Sequence, residues 1–190
     1  DFGTSNVLPG NPATPLAYDE ERSTAYEAGV KYEMSRALQV TAAIFKTDYK
    51  DVLVSDTGTR FAAQGGGQFI YLDNLGDADA EGVEIELNGR VAVPMVGGRL
   101  VYGLSGTWLK SDIRSPISII DGNTLNGAPK FAMTANATWS RPLFGEVEGF
   151  LSANYKGEWD GFYNITNLQS RDANRDLSLR VGVQIGRAHV

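Results

Sequence analysis

A hydrophobic pattern with a period of two residues runs through most of this chain and sharply limits the folds that it can adopt. In the segment 82–88, Val83, Ile85 and Leu87 are apolar. They alternate with the polar residues Glu84, Glu86 and Asn88. Successive side chains of a β-strand point to opposite faces, so this pattern predicts strands with one apolar and one polar face. The alternation recurs in six further segments: 26–33, 38–54 (less regularly), 99–110, 130–140, 146–159 and 177–183. A helical period is nearly absent, and we therefore predict seven strands.

The connections between these segments alternate in length. Short links with turn-forming residues lie at 35–37, 94–98 and 141–145, and long links rich in Gly, Asn, Asp and Ser lie at 55–67, 113–129 and 161–174. This succession is typical of an up-and-down antiparallel meander whose two ends differ. Transmembrane barrels have short turns on the periplasmic side and longer extracellular loops.

The polar face of the predicted strands carries charges well inside the strands, such as Glu84, Glu86 and Lys156. A lumen that holds water or a plug tolerates such charges, whereas the core of a β-sandwich does not. Four aromatic residues lie near strand ends on the apolar face, where an interfacial girdle would sit: Trp108, Trp139, Tyr155 and Trp159. The predicted fold class is all-β, an antiparallel up-and-down meander that forms part of a transmembrane β-barrel and is seen as an open curved sheet. A soluble antiparallel sheet with one sheltered face is the alternative.

Composition narrows the possible functions. The formal net charge is −6, and no basic stripe is available to neutralise the phosphates of a nucleic acid. We therefore expect no nucleic-acid partner. The chain has no cysteine, which excludes disulfides, thiol nucleophiles and cysteine-ligated metals. No run approaches the roughly 20 apolar residues of a transmembrane helix. The mean hydropathy of −0.22 is compatible with a barrel, because alternation hides the membrane signal.

No group of residues predicts catalysis or a cofactor. The one histidine, His189, lies at the extreme end of the chain. The acidic residues of the segment 73–81 have the initial spacing of a calcium loop, but the required Gly and closing Glu do not follow, so a solvated loop is favoured. Glu84 and Glu86 are neighbours on one face and are expected to line the lumen rather than to act as an acid–base pair. We therefore predict that the protein is not an enzyme and binds neither a cofactor nor a metal.

Four sequence blocks resemble strand motifs of TonB-dependent receptors, and they occur in the order of that family. The blocks are YEAGVK at 26–31, AIFKTDYKD at 43–51, NLGDA at 74–78 with EGVEIEL at 81–87, and LNGAPK at 125–130. The segment 11–21, which contains Asn11-Pro12 and ends in Glu20-Glu21, resembles the loop before the first block more loosely. The motifs belong to barrel architecture rather than to ligand chemistry.

The resemblance implies a barrel of about 22 strands with a plugged lumen, in the outer membrane of a Gram-negative bacterium. It implies import of a scarce ligand into the periplasm, either siderophore-bound iron, cobalamin, haem or a saccharide. The implied partners are outer-membrane lipid, a small-molecule ligand such as an iron chelate, and the TonB energy-transducing protein, which would act through a plug domain that these residues do not contain. A passive porin or adhesin barrel and a soluble secreted carbohydrate-binding β-protein are the alternatives.

The family pattern also suggests a domain assignment and a set of ligand contacts. Residues 1–184 are expected to be part of a receptor barrel. Residues 185–190 (IGRAHV) resemble a translated frame of a sequencing adapter and are expected to be a non-native tail, the alternative being a natural continuation of the last strand. Because aromatic rings stack on iron chelates and on sugars, the predicted ligand-binding residues are the aromatic ones in or near the extracellular loops: Phe61, Phe69, Tyr71, Trp159, Phe162 and Tyr163.

Overall fold

The computed structural model describes residues 19–35, 37–56, 71–74 and 76–186, and their regular structure is entirely β-strand. The strands are β1 (Arg22–Ser35), β2 (Leu38–Lys50), β3 (Leu53–Asp56), β4 (Tyr71–Asn74), β5 (Asp77–Ala92), β6 (Arg99–Arg114), β7 (Phe131–Phe144), β8 (Val147–Trp159), β9 (Gly161–Phe162), β10 (Ser170–Arg171) and β11 (Asn174–Ile185). Within these ranges there is no helix with the length and apolar character needed to span a membrane.

Seven long strands form one antiparallel sheet in the order β1-β2-β5-β6-β7-β8-β11. The two remaining pairs, β3–β4 and β9–β10, are small hairpins inserted into the links β2–β5 and β8–β11. Consecutive long strands are neighbours throughout, which is the predicted meander. Strands β1 and β11 lie at opposite edges, and the sheet is not closed into a barrel. The predicted fold class and the predicted number of long strands are therefore confirmed.

The register of the sheet places the apolar and polar residues on opposite faces, as the alternation predicts. On β5 and β6, Val83 is paired with Trp108 and Leu87 with Leu104, whereas Glu84 is paired with Thr107. We call the side that carries Val83 and Trp108 the apolar face and the side that carries Glu84 the polar face. A shift of one residue would exchange these two faces, so the pattern specifies the register strongly.

The short turn between β7 and β8 differs from its prediction. The alternation and composition predict a link at 141–145, but β7 continues to Phe144 and the turn contains only Gly145 and Glu146. Pro142 is compatible with the strand because it lies beyond Ser140, the last residue of β7 that pairs with β6. A proline therefore removes no hydrogen bond on that side.

Few side chains are buried, and those few lie mostly at one end of the polar face. Ala78, Ala80, Ser111 and Ile113 are all less than a tenth exposed. By contrast, Val83 and Ile85 on the apolar face are 40% and 38% exposed. Within the described residues, no second layer covers the apolar face, which agrees with a surface that faces lipid rather than a protein core.

The apolar face has the height of a membrane barrel. On β5 the apolar positions run from Val83 to Val91, a span of nine residues. A tilted transmembrane strand needs about 9–11 residues. Trp108, Phe131 and Trp159 lie side by side at one border of this band, with ring centroids 4.8 and 5.2 Å apart.

At the opposite border of the band, the indole Nε1 of Trp139 donates a 2.9 Å hydrogen bond to the carbonyl oxygen of Gly97. These tryptophans therefore occupy the predicted girdle positions. The prediction that Tyr155 also belongs to the girdle is wrong. Tyr155 is paired with Ala135, which is paired with Leu104, so it lies in the middle of the apolar band.

Candidate functional site

The strand ends that the three long connections of the meander join lie at the same end of the sheet, which we call the loop end. The long connections are the links β2–β5, β6–β7 and β8–β11, and the short links lie at the opposite end, the turn end. Two of the long links are described in full: the β6–β7 loop (115–130) and the β8–β11 loop (160–173), which contains the β9–β10 hairpin.

The β6–β7 loop and the β8–β11 loop are hydrogen-bonded to each other. The Oδ1 atom of Asn167 accepts hydrogen bonds from the backbone N–H and the hydroxyl of Thr124, at 2.8 and 3.0 Å. The Nδ2 atom of the same amide donates to the carbonyl oxygen of Thr124 at 3.0 Å. The Nδ2 atom of Asn123 donates to the carbonyl oxygen of Ile165 at 3.0 Å. The backbone N–H of Gly127 donates to the carbonyl oxygen of Phe162 at 3.1 Å. The two loops therefore form one hydrogen-bonded unit.

The β6–β7 loop contacts the polar face of the sheet rather than the apolar face. The backbone N–H of Leu125 donates to the hydroxyl of Ser111, a side chain of that face, at 3.1 Å. The N–H of Gly122 donates to the backbone carbonyl oxygen of Ile113 at 2.8 Å and joins the loop to the edge of β6. Ser111 and Ile113 are among the buried residues of that face, and Ile120 of the loop is 3% exposed. This loop thus accounts for the small core at the loop end.

The structure describes four of the six predicted ligand-binding aromatics, and these four lie in three places. Phe162 and Tyr163 lie on the β8–β11 loop, where Phe162 is half-buried and Tyr163 is 61% exposed. Trp159 lies on the apolar face, stacked on Phe131 and with the Arg175 guanidinium 5.9 Å from its ring. Tyr71 is the first residue of β4. Two predicted residues, Phe61 and Phe69, lie outside the described residues.

A shallow depression joins two of the predicted aromatics to a charged cluster. It has a volume of about 340 Å³, and its lining includes Trp159, Phe162 and Arg171. The guanidinium of Arg171 lies 3.1 Å from the Glu158 carboxylate, and the Lys156 ammonium lies 2.9 Å from the same carboxylate. Glu158 therefore holds both cations at the mouth of the polar face. Of the two cations, the hydrophobic alternation predicts only Lys156 on the polar face. Arg171 lies in the β9–β10 hairpin, whose sequence has no periodic pattern.

The polar face below this cluster carries hydrogen-bonded hydroxyls and further charges. Ser105 and Thr134 are 2.7 Å apart across β6 and β7, and Thr138 and Ser152 are 2.9 Å apart across β7 and β8. Glu84 accepts a hydrogen bond of 3.5 Å from Thr107. These contacts agree with a face that borders water or another polar surface, and no two of these residues form an acid–base pair.

Two of the acidic residues that suggested a calcium loop are partnered by cations. Lys50 donates a hydrogen bond to Asp77, and Arg114 donates one to Asp79. Asp77 lies six residues before Val83, beyond the apolar band, and the hydrogen bond from Lys50 lowers the pKa of its carboxyl group. Throughout the described ranges, no cluster of His, Cys, Asp or Glu side chains is suited to hold a metal ion.

Comparison with known proteins assigns the class. A profile described as "TonB dependent receptor-like, beta-barrel" matches residues 2–184. A search of curated protein sequences found no significant match. Two solved structures share the fold at low sequence identity. The ferric yersiniabactin uptake receptor FyuA from Yersinia pestis is 23% identical with a TM-score of 0.66, over 91% of this chain and 25% of that receptor. BauA, the ferric preacinetobactin receptor from Acinetobacter baumannii, is 17% identical with a TM-score of 0.64, over 97% of this chain and 26% of that receptor.

The open antiparallel meander, its lipid-type apolar face and its charged polar face define an outer-membrane β-barrel protein. The match over residues 2–184 makes the assignment specific: the chain belongs to the family of TonB-dependent receptor β-barrels, which are transporters rather than enzymes and reside in the Gram-negative outer membrane. The chain spans about a quarter of the length of the two receptors to which it was compared.

Proposed function

We propose that the chain is a section of the barrel of an active outer-membrane transporter that imports a scarce ligand into the periplasm. A siderophore-bound iron complex is the first candidate ligand, and cobalamin, haem and a saccharide are the others. In this proposal a plug domain outside these residues occupies the lumen and couples ligand entry to TonB. Residues 1–184 belong to that barrel, and residues 185–190 are a non-native tail.

The observation that supports this proposal is the direction in which the β6–β7 loop folds. Its Leu125 N–H is hydrogen-bonded to the Ser111 hydroxyl on the polar face, so in the proposed barrel this loop would narrow the mouth of the lumen. A narrowed mouth suits a receptor that captures one ligand more than a pore that conducts many solutes. An iron complex is supported as the ligand by the two structural neighbours, one a ferric yersiniabactin uptake receptor and the other a ferric preacinetobactin receptor.

We further propose that the predicted aromatics at or near the loop end contact the ligand. Phe162 and Tyr163 are the best placed, because the β8–β11 loop that carries them is held against the β6–β7 loop. The other proposed contacts are Phe61, Phe69, Tyr71 and Trp159. In the intact receptor, alanine at both Phe162 and Tyr163 is expected to weaken ligand binding about tenfold or more, since stacked rings contribute roughly 0.5–1.5 kcal/mol each beyond their buried area.

The matched control for these contacts is Tyr155→Ala, which removes an aromatic ring from the middle of the apolar face. This variant is expected to leave ligand affinity unchanged. Affinity would be measured by fluorescence quenching of the purified intact receptor with a panel of ferric siderophores, cyanocobalamin and haemin. If none of the panel binds, or if the double variant binds as the wild type does, the proposed contacts are wrong.

The transport function is tested in cells. Deletion of the full-length gene is expected to abolish growth on the matching ligand as the only source of iron or cobalamin, and a plasmid copy should restore it. In a strain that lacks TonB the restored growth should disappear. Uptake that continues without TonB and rises in proportion to ligand concentration would indicate a passive pore instead.

A further inference from the structure

The chain contains the dipeptide Asn-Gly twice, in two different structural settings. Asn88-Gly89 lies inside β5, where it is paired with β2 on one side and with β6 on the other. Asn126-Gly127 lies in a turn of the β6–β7 loop, and both of its residues are exposed. In such a dipeptide the amide nitrogen of the glycine can attack the asparagine side chain, because glycine has no side chain to hinder the attack. The structural setting of each dipeptide therefore decides whether this reaction can occur.

The reaction is a deamidation, and its atoms balance with water as the only co-reactant. The backbone nitrogen of Gly127 loses its proton to a base and forms a bond to Cγ of Asn126. The bond from Cγ to Nδ2 breaks, and the Nδ2 nitrogen takes up a proton and leaves as ammonia. Water then opens the five-membered succinimide ring at either of its two carbonyl groups. The product is aspartate, or isoaspartate with one additional methylene in the main chain, and either product carries a new negative charge.

The space around the two glycines differs as much as their backbone pairing. Gly127 has a φ angle of 73°, and a Cβ atom placed on it would meet no atom within 4 Å. This open space leaves room for the Asn126 side chain and for the incoming water. A Cβ atom on Gly89 would instead collide with the ring of Tyr102. Of the two identical dipeptides, only the one in the loop is therefore free to react.

One contact between the two loops opposes the reaction. The N–H of Gly127 donates a 3.1 Å hydrogen bond to the carbonyl oxygen of Phe162, so the proton that a base must remove is held by the β8–β11 loop. This bond also fixes the peptide plane that must rotate before the nitrogen can attack Asn126. Deamidation therefore requires a locally open state in which the two loops have separated at this point. The amide of Asn167, which is hydrogen-bonded to Thr124, lowers the population of that open state.

We propose that Asn126 is a site of spontaneous deamidation and that its rate is set by the opening of the contact between the β6–β7 loop and the β8–β11 loop. Each opening exposes the Gly127 nitrogen, so the protein records loop opening as a slow and irreversible covalent change. An isoaspartate at position 126 lengthens the main chain and displaces the Gly127 N–H from Phe162. The modified loops are consequently held together less firmly. The proposal rests on the contact between the loops and not on the proposed transport of a ligand.

The test measures the conversion of each asparagine to an acid by peptide mass spectrometry, in full-length receptor kept in detergent at mildly alkaline pH. Asn126 is expected to convert over days and faster at higher pH, whereas Asn88 should convert much more slowly. In receptor unfolded with guanidinium chloride, both asparagines should convert at similar and higher rates. Asn167→Ala should accelerate the conversion of Asn126 in the folded receptor by about fivefold or more, because the two loops lose the hydrogen bonds of that amide.

Two control variants separate this mechanism from general chemical ageing. Asn126→Gln should abolish the conversion in that peptide, because glutamine would have to close a larger ring, and Asn154→Ala, in the middle of β8, should leave the rate at Asn126 unchanged. The proposal is overturned if Asn126 converts equally fast in folded and unfolded receptor, or if it converts only in the unfolded one. It is also overturned if Asn167→Ala, shown to be folded by its heat-modifiable migration on a gel, converts at the wild-type rate, or if Asn154→Ala accelerates the conversion as much.

Discussion

At the turn end of the sheet, six residues join β5 to β6 and two join β7 to β8, whereas at the loop end sixteen residues join β6 to β7 and fourteen join β8 to β11. The turn end has almost no buried side chains. The loop end contains Ala78, Ala80, Ile113 and Ile120, each at most 7% exposed. The short links therefore need only local turn geometry, and the long links are held by contacts between segments that are distant in the sequence.

This difference shows that the two ends of one meander are stabilised in two ways. At the turn end, the positive φ angles of Gly97 and Gly98 (72° and 90°) allow the chain to reverse within six residues. At the loop end, the side-chain amide of Asn167 forms hydrogen bonds with the backbone N–H and the carbonyl oxygen of Thr124. Substitutions at the two ends should consequently destabilise the protein by different mechanisms.

The largest effect is expected from Ile113→Ala in the loop-end core. Ile113 is 3% exposed, and truncation of a buried Ile to Ala typically costs about 2–4 kcal/mol. Hydrogen exchange of amides 111–125 in the full-length receptor should accelerate accordingly. Val101→Ala, at a 47% exposed position of the same face nearer the turn end, should cost less than about 1 kcal/mol. If both variants lost the same stability, the proposed difference in packing between the loop end and the turn end would be wrong.

The next effect is expected at the β5–β6 turn, from a matched pair of glycine variants. Both Gly97 and Gly98 have positive φ angles, so the backbone strain of an alanine is similar. A Cβ atom at Gly98 would lie 2.1 Å from the carbonyl oxygen of Ser140, whereas one at Gly97 would meet no atom within 4 Å. Gly98→Ala should therefore lower the unfolding free energy by about 1–3 kcal/mol more than Gly97→Ala. Urea unfolding in detergent micelles measures the difference, and equal stabilities would contradict this account of the turn.

A smaller and more local effect is expected from Asn167→Ala. This variant leaves the N–H and carbonyl groups of Thr124 without their amide partner, at a cost of about 1–3 kcal/mol. Exchange should accelerate in both described loops together, at 115–130 and 160–173, and remain unchanged at the turns. Asn154→Ala, which removes an exposed amide in the middle of β8, is the control. Acceleration confined to 160–173 would mean that the loops do not form one unit.

The smallest effect concerns the ion pair of Lys50 and Asp77 at the loop end. The pKa of Asp77 is lowered in the folded state, mainly by the hydrogen bond from Lys50. Its contribution to stability is therefore fully present above the unfolded pKa of about 4 and is lost as the pH falls through the lower folded pKa. Asp77→Asn should flatten the acid side of the thermal-stability profile slightly, and Lys50→Gln should do the same. A steeper profile in either variant would contradict this assignment.

The particular residues show how far sequence reasoning extends here. The faces of Val83 and Glu84, the seven long strands and the girdle positions of Trp108, Trp139 and Trp159 could be predicted, because a period of two fixes which side each residue takes. The β7–β8 turn begins four residues later than the predicted link, because β7 continues past Ser140, where it no longer pairs with β6 and Pro142 removes no hydrogen bond on that side. Tyr155 was assigned to the girdle because the sequence does not indicate the height of a residue within the band.

The faces, the order of the strands and the alternation of short and long links follow from the amino-acid sequence alone, because they depend on local periodicity and on turn-forming residues. The folded chain was needed to show which face the β6–β7 loop covers, that Asn167 joins two loops and that Arg171 reaches Glu158. These contacts depend on the closure of long irregular segments, and a chain without periodicity carries no local signal of where its distant partners lie.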